Sequence, residues 1–114
     1  MVTIVTREEL KHALDQGEPV TLVEALPPKY YAEAHLPGAI NIPHDQVESL
    51  AATLLPNKDA AIVVYCANGP CRNSGIAAEH LAALGYANVR DYHEGKADWI
   101  AAGYPVVKGA AKAA

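Results

Sequence analysis

The sequence predicts an α/β domain built on a mostly parallel sheet. Short apolar runs alternate with stretches of helical periodicity along its 114 residues, as they do when strands and crossover helices take turns. Ala61 to Tyr65, reading AIVVY, is apolar without alternation, which marks a strand covered on both faces of a parallel sheet. A chain of this length fits one domain and can bury a continuous core without covalent staples.

Each element follows from local chemistry. Thr3 to Val5 reads as a first strand. Thr6 can cap a helix from Arg7 to Gln16, with Glu9 placed as its capping-box partner and Gly17 ending it. Val20 to Glu24 is apolar on both sides and therefore central. Pro27 and Pro28 break the chain before a short helix from Tyr30 to Ala34. His35-Leu36-Pro37-Gly38 is a turn into a brief strand, Ala39 to Ile42, stopped by Pro43. His44 or Asp45 starts a helix through Leu54, with Val47, Leu50, Ala51 and Leu54 on one face. Pro56 to Asp59 is a loop before the AIVVY strand. Ala67 to Arg72 is a loop by composition, and Asn73 or Ser74 caps the next helix, which ends near Leu84 and Gly85. Val89 and its neighbours form the last of five strands. Glu94 to Ala102 is a final helix carrying Trp99, closed by Gly103, after which Tyr104 to Val107 returns to the body. The domain is expected over residues 1–107, with 108–114 a flexible tail.

Composition narrows the function. Apolar residues make up 51% and charged residues 19%, an ordinary globular balance. There is no Phe and one Trp, so aliphatic residues and six Tyr fill the core. A net charge of −4 argues against a nucleic-acid module, which carries a basic face. No apolar run approaches the roughly 18–20 residues of a membrane span. The start, Met1 to Thr6, lacks the basic and long apolar segments of a signal peptide, so a cytoplasmic location is expected.

The two cysteines, Cys66 and Cys71, share one short segment. A disulfide there would close too small a loop to constrain the unfolded chain much. Two thiols cannot build a four-thiolate zinc site, and no metal or organic cofactor is implied. What remains is a reactive thiol or an inert buried one.

Strand, Cys66, tight loop, helix is the arrangement that carries chemistry. Ligands of open α/β sheets bind beyond the carboxyl ends of the strands. A loop wrapped over a helix start aims backbone N–H groups into one concavity, and a thiol there is expected to have a lowered pKa. Ala67, Asn68, Gly69, Pro70, Cys71, Arg72, Asn73 and Ser74 would form the substrate-binding loop around Cys66. Gly69 lets the backbone curl inward, Pro70 stiffens the turn while removing a donor, Arg72 supplies a fork of donors, and Ser74 a hydroxyl. The pocket suits thiolate attack on a sulfur donor, or on phosphate or arsenate.

Each residue has a plainer reading. Cys66 could be a buried thiol at a strand end. Cys71 could be a packed loop residue, or could resolve a persulfide or sulfenate on Cys66 by forming a disulfide. Arg72 could be a solvated helix-start residue, although an Arg in a first turn opposes the helix dipole. Asn68 and Asn73 suit turn and cap positions. His35 before a Pro-Gly turn reads as structural, Trp99 as core, Tyr30 and Tyr31 as half core and half surface, and Lys96 and Arg90 as solvated.

At these residues the sequence resembles the rhodanese homology superfamily, from about Thr3 to Val107. Tyr31-Ala-Glu-Ala-His35-Leu-Pro-Gly-Ala-Ile-Asn-Ile-Pro43 is similar to the family's F-x-x-G-H-I-P-G-A-I-N-I-P segment. Val63-Val64-Tyr65-Cys66 matches strand then nucleophile. Leu81 to Val89 matches a helix end, and Glu94 to Val106 resembles the G-G-x-x-x-W-x-x-A-G-x-P-V ending. The resemblance implies a five-stranded, mostly parallel sheet with helices on both faces. It implies a single-domain sulfurtransferase that moves sulfane sulfur from a small anionic donor such as thiosulfate to cyanide, a thiol or a protein acceptor, through a persulfide on Cys66. Three features depart from the pattern. Glu24 and Leu26 stand where the family has Asp-x-Arg, which leaves an Arg missing. Arg72 is the seventh residue counted from Cys66 rather than the sixth, a spacing shared with related phosphatases and arsenate reductases. Tyr65 stands where those enzymes have His. A Cys-x5-Arg phosphatase or arsenate reductase, and a sulfur-carrier or regulatory binding module, are the alternatives.

Overall fold

The computed structural model describes residues 2–109. Five strands, all parallel, pair in the order β1-β5-β4-β2-β3: β1 Thr3–Ile4, β2 Val20–Glu24, β3 Ile40–Asn41, β4 Ala61–Tyr65 and β5 Val89–Tyr92. The helices are α1 Arg7–Asp15, α2 Pro28–Glu33, α3 Val47–Leu54, α4 Asn73–Ala83 and α5 Gly95–Ala101. β2 and β4 match their sequence expectations residue for residue, while β1 and β3, on the sheet's edges, are shorter than expected.

Alternation along the strands splits the core in two, since successive side chains point to opposite faces. Val23, Ile62, Val64 and Val89 meet Val47 and Ala51 of α3 and Ala77, Ala78 and Leu81 of α4. Leu22, Val63, Tyr65 and Tyr92 meet Leu10 of α1, Tyr31 of α2 and Trp99 of α5. The sheet is therefore covered on both faces, which is why its middle strands read as continuous apolar runs. Chain leaving β4 passes to the face holding α4. Chain leaving the adjacent β2 passes to the opposite face with α2. Connections that part in this way open a crevice at the strand ends, and Cys66 stands there.

Caps explain several boundaries. Thr6 accepts from the Glu9 N–H (3.1 Å) and Glu9 accepts from the Thr6 N–H (2.9 Å), completing the expected capping box. Gly85, at φ +97°, terminates α4 in a conformation that favours glycine. Pro28 does not break α2 but opens it, because a first-turn residue has no intrahelical use for its N–H. A 3-10 turn, His44–Gln46, precedes α3, so the helix starts later than expected. At α4 neither Asn73 nor Ser74 is the cap. Both lie within the first turn, and Arg72 holds the cap position without a side-chain bond. After α5 the chain returns as expected, with Val107 and His35 bridging antiparallel. Gly109 donates its N–H to the Ala32 carbonyl (2.9 Å), and the remainder of the expected tail, 110–114, lies outside the described residues.

Replacing Thr6 by Ala removes one half of the capping box outright and is expected to lower stability by about 1 kcal/mol. Urea denaturation of wild type and Thr6→Ala measures it, with unchanged slope and a lower midpoint as the expected result.

Candidate active site

Cys66 follows β4 and has no exposed surface. Its backbone is held by α5. The Lys96 N–H donates to the Cys66 carbonyl and the Ala97 N–H to the Ala67 carbonyl, both at 2.8 Å. This close approach needs Gly95. At φ +77° it has a backbone that L side chains avoid, and a Cβ there would sit 2.8 Å from both the Cys66 carbonyl oxygen and the Asn68 nitrogen.

The loop brings some of the expected residues to the thiol and leaves others outside. Cys71 and Ser74 are the loop residues that act on the thiol: Cys71 disfavours its ionised form, and the Ser74 hydroxyl and N–H favour it. Both cysteines are free thiols. Ala67, Gly69 and Asn73 are half-buried, and Asn68, Pro70 and Arg72 are exposed. Asn68 works inside the loop, where its carbonyl and its side-chain Oδ1 both accept from the Cys71 N–H (3.1 Å each). Arg72 makes no ion pair among the described residues. The amides of Ala67, Asn68, Gly69, Arg72 and Asn73 have no backbone acceptor among the described residues.

The lowered thiol pKa expected from the sequence is not found. Burial pushes the Cys66 thiol up to about 11, and the contact with Cys71 adds to the rise. The Ser74 hydroxyl and N–H pull the other way. Loop amides lower a thiol pKa only where they face the sulfur. Pro70 has none, the Cys71 amide is taken by Asn68, and full burial outweighs the donor that remains.

Several residues at the site were not expected. Asp91 on β5 is buried, and its carboxyl is raised by burial and lowered by the neighbouring Ser74 hydroxyl. The buried Ser74 hydroxyl thus bears on both the Cys66 thiol and the Asp91 carboxyl, drawing each down, while it has no hydrogen-bond partner among the described residues. Lys96, read from sequence as solvated, is buried. Its Nζ donates to Glu24 Oε2 (3.0 Å) and to the carbonyls of Tyr30 (3.0 Å) and Ala34 (2.6 Å). Glu24 has no exposed surface, and its Oε1 accepts from the Tyr65 hydroxyl (2.9 Å), which in turn accepts from the Leu36 N–H (3.1 Å). Burial raises the Glu24 carboxyl, and Lys96 and Tyr65 draw it back. Glu24 thus has a cation from α5 as its partner, while Leu26, standing where the family pattern has Arg, is buried. The signal for Lys96 was a charge inside a helix that must pack its Trp99 face. His35 is structural, stacked on Tyr31 (3.8 Å between ring centroids), with Nδ1 2.9 Å from the Tyr31 carbonyl.

With this geometry established, likeness to known proteins becomes informative. The family model of the Rhodanese-like domain matches residues 6–102. The chain belongs to the rhodanese-like family. A sulfurtransferase of Allochromatium vinosum is 30% identical over 107 residues, covering 94% of this chain and 96% of that protein. The thiosulfate sulfurtransferase PspE of Escherichia coli is 42% identical over 64 residues, 56% of this chain and 60% of PspE. Two further curated relatives are spanned over only 45% and 49% of their lengths. Among solved structures, the BH2092 protein of Bacillus halodurans superposes with a TM-score of 0.85 at 26% identity, over 93% of this chain and 77% of that one. The five-stranded sheet with helices on both faces expected from sequence is the one observed, with every strand pair parallel. No described helix is long and apolar enough to cross a membrane.

Two outcomes follow for this site. Gly95→Ala should destabilise the domain by about 2 kcal/mol or more, because strain and steric overlap coincide there, and denaturation measures it. The raised Cys66 pKa makes the neutral thiol the favoured folded form. Its contribution to stability is complete below about pH 9 and is lost as pH rises through about 11. Denaturation of wild type and Cys66→Ala across that range should show the steeper fall in wild type.

Proposed function

We propose that this rhodanese-like domain is a sulfurtransferase that carries sulfane sulfur as a persulfide on Cys66. The observation that carries the reading is the placement of that thiol, buried directly beyond the carboxyl end of the middle strand and at the start of the loop that leads into α4. The Cys66 thiolate attacks the outer sulfur of a donor such as thiosulfate. The sulfur–sulfur bond of the donor breaks, sulfite leaves with the electron pair, and the persulfide remains. Cyanide, a small thiol or a protein thiol then attacks the outer sulfur, and the Cys66 thiolate departs. Amides of Ala67, Asn68 and Gly69, with Arg72, are the groups for the donor's oxyanion. Because the resting thiol is fully buried and neutral, loading requires the loop to open and a proton to leave.

Cys71 has a second part in this reading. A persulfide on Cys66 lies beside its thiol. Attack by the Cys71 thiolate on the inner sulfur forms a Cys66–Cys71 disulfide and releases hydrosulfide, so the two cysteines are oxidised as the sulfane sulfur is reduced.

Intact-mass spectrometry after incubation with thiosulfate tests both parts. Wild type should gain one sulfur atom, removed by cyanide, and Cys66→Ser should gain none. Cys71→Ser should hold its persulfide longer than wild type and form no internal disulfide. Absence of any gain in wild type would overturn the reading and favour the oxyanion chemistry suggested by the seven-residue spacing, for which turnover of a phosphate ester or arsenate is the assay.

A further inference from the structure

We infer that the buried Glu24–Lys96 ion pair is a clamp that holds the Cys66 loop shut. The inference rests on Cys66 being the reactive thiol, and it assigns a positioning role to two residues that do not touch the sulfur. Lys96 acts at both of its ends. Its backbone N–H holds the Cys66 carbonyl (2.8 Å), so any shift of Lys96 along its helix is passed to the residue that carries the chemistry. Its ammonium is anchored across the fold by Glu24 Oε2 and by the carbonyls of Tyr30 and Ala34. Glu24 reaches the same residue by the other route. Its Oε1 accepts from the hydroxyl of Tyr65, the residue covalently before Cys66. One carboxylate thus fixes the thiol's backbone from the strand side through Tyr65 and from the helix side through Lys96.

The position of the pair argues for more than packing. α5 is only seven residues long, and its link to the loop is the Lys96 and Ala97 amides against the Cys66 and Ala67 carbonyls. A short helix of this kind is weakly stable on its own and needs a tertiary anchor. Trp99 anchors its far side, with Nε1 donating to the Pro105 carbonyl (2.8 Å). The Lys96 ammonium anchors the end that meets the loop. A buried ion pair is a poor source of net stability but costs a great deal when one partner is removed. The clamp is therefore stiff while both charges are present and fails when one is lost.

The test follows the access of a small electrophile to Cys66, in a Cys71→Ser background so that one thiol reports. Lys96→Met, Glu24→Gln and the double variant Glu24→Gln/Lys96→Met are compared with the Cys71→Ser parent. Alkylation by iodoacetamide at fixed pH is measured together with the rate of sulfur gain from thiosulfate. The double variant leaves no unpaired buried charge and is the control for folding, verified by circular dichroism. Loss of the clamp should raise both the alkylation rate and the rate of sulfur gain about tenfold, because the loop opens locally more often and both reagents need it open. Parental rates of both reactions in the folded double variant would overturn the clamp, whatever the change in stability. Failure of every protein, the parent included, to gain sulfur would overturn the sulfurtransferase reading instead, and the alkylation rates would still decide the clamp.

Discussion

The parallel pairing of β4 between β2 and β5 is the constraint on which the rest of this molecule depends. It places Tyr65 opposite Glu24 on one side and opposite Tyr92 on the other, so the residue that follows emerges at the centre of the sheet's carboxyl edge. Helices cover both faces there, and Cys66 has nowhere to expose its sulfur. Its burial, its raised pKa and its dependence on loop opening all follow from being next in line after a central strand.

What the sequence could reveal divides along physical lines. Elements written by local chemistry were legible: the Thr6 and Glu9 capping box, the doubly apolar β2 and β4, and the glycines that end α1 and α4. The segment from Ala67 to Ser74 was legible as the loop and helix start that follow Cys66, but not that Cys71 and Ser74 are the members that act on its thiol. Features that depend on chain segments far apart in sequence were not legible. Lys96 and Glu24 are 72 positions apart, and a lysine in a short helix reads as solvated until the strand carboxylate beneath it is known. Gly95 was visible as part of a terminal motif, but its reason, the lack of room beside the Cys66 carbonyl, exists only in the fold.

The thiol pKa divides in the same way. Helix starts and tight loops do favour anions, and a loop that ends in Arg strengthens the expectation. That argument treats the loop as a ring of free donors around an accessible atom. Here the loop satisfies part of its own donor supply through Asn68, and the sheet removes the thiol from water altogether. Desolvation then decides, since one N–H and one hydroxyl from Ser74 do not replace a hydration shell.

A fully buried nucleophile has a chemical advantage that explains why such a cost is retained. A persulfide is itself a reactive species, and a persulfide on an exposed cysteine would lose its outer sulfur to any passing thiol. Cys66 instead sits under a loop whose carbonyls are hydrogen-bonded to α5, and α5 is secured by charges that the interior holds in place. In the proposed reaction, loading and unloading would wait on loop movement, so the stiffness of this attachment would set both how long a sulfur atom is kept and how readily it is delivered. The same bonds that bury the thiol would make that chemistry conditional on loop opening, which connects the short α5 to the sulfur it covers.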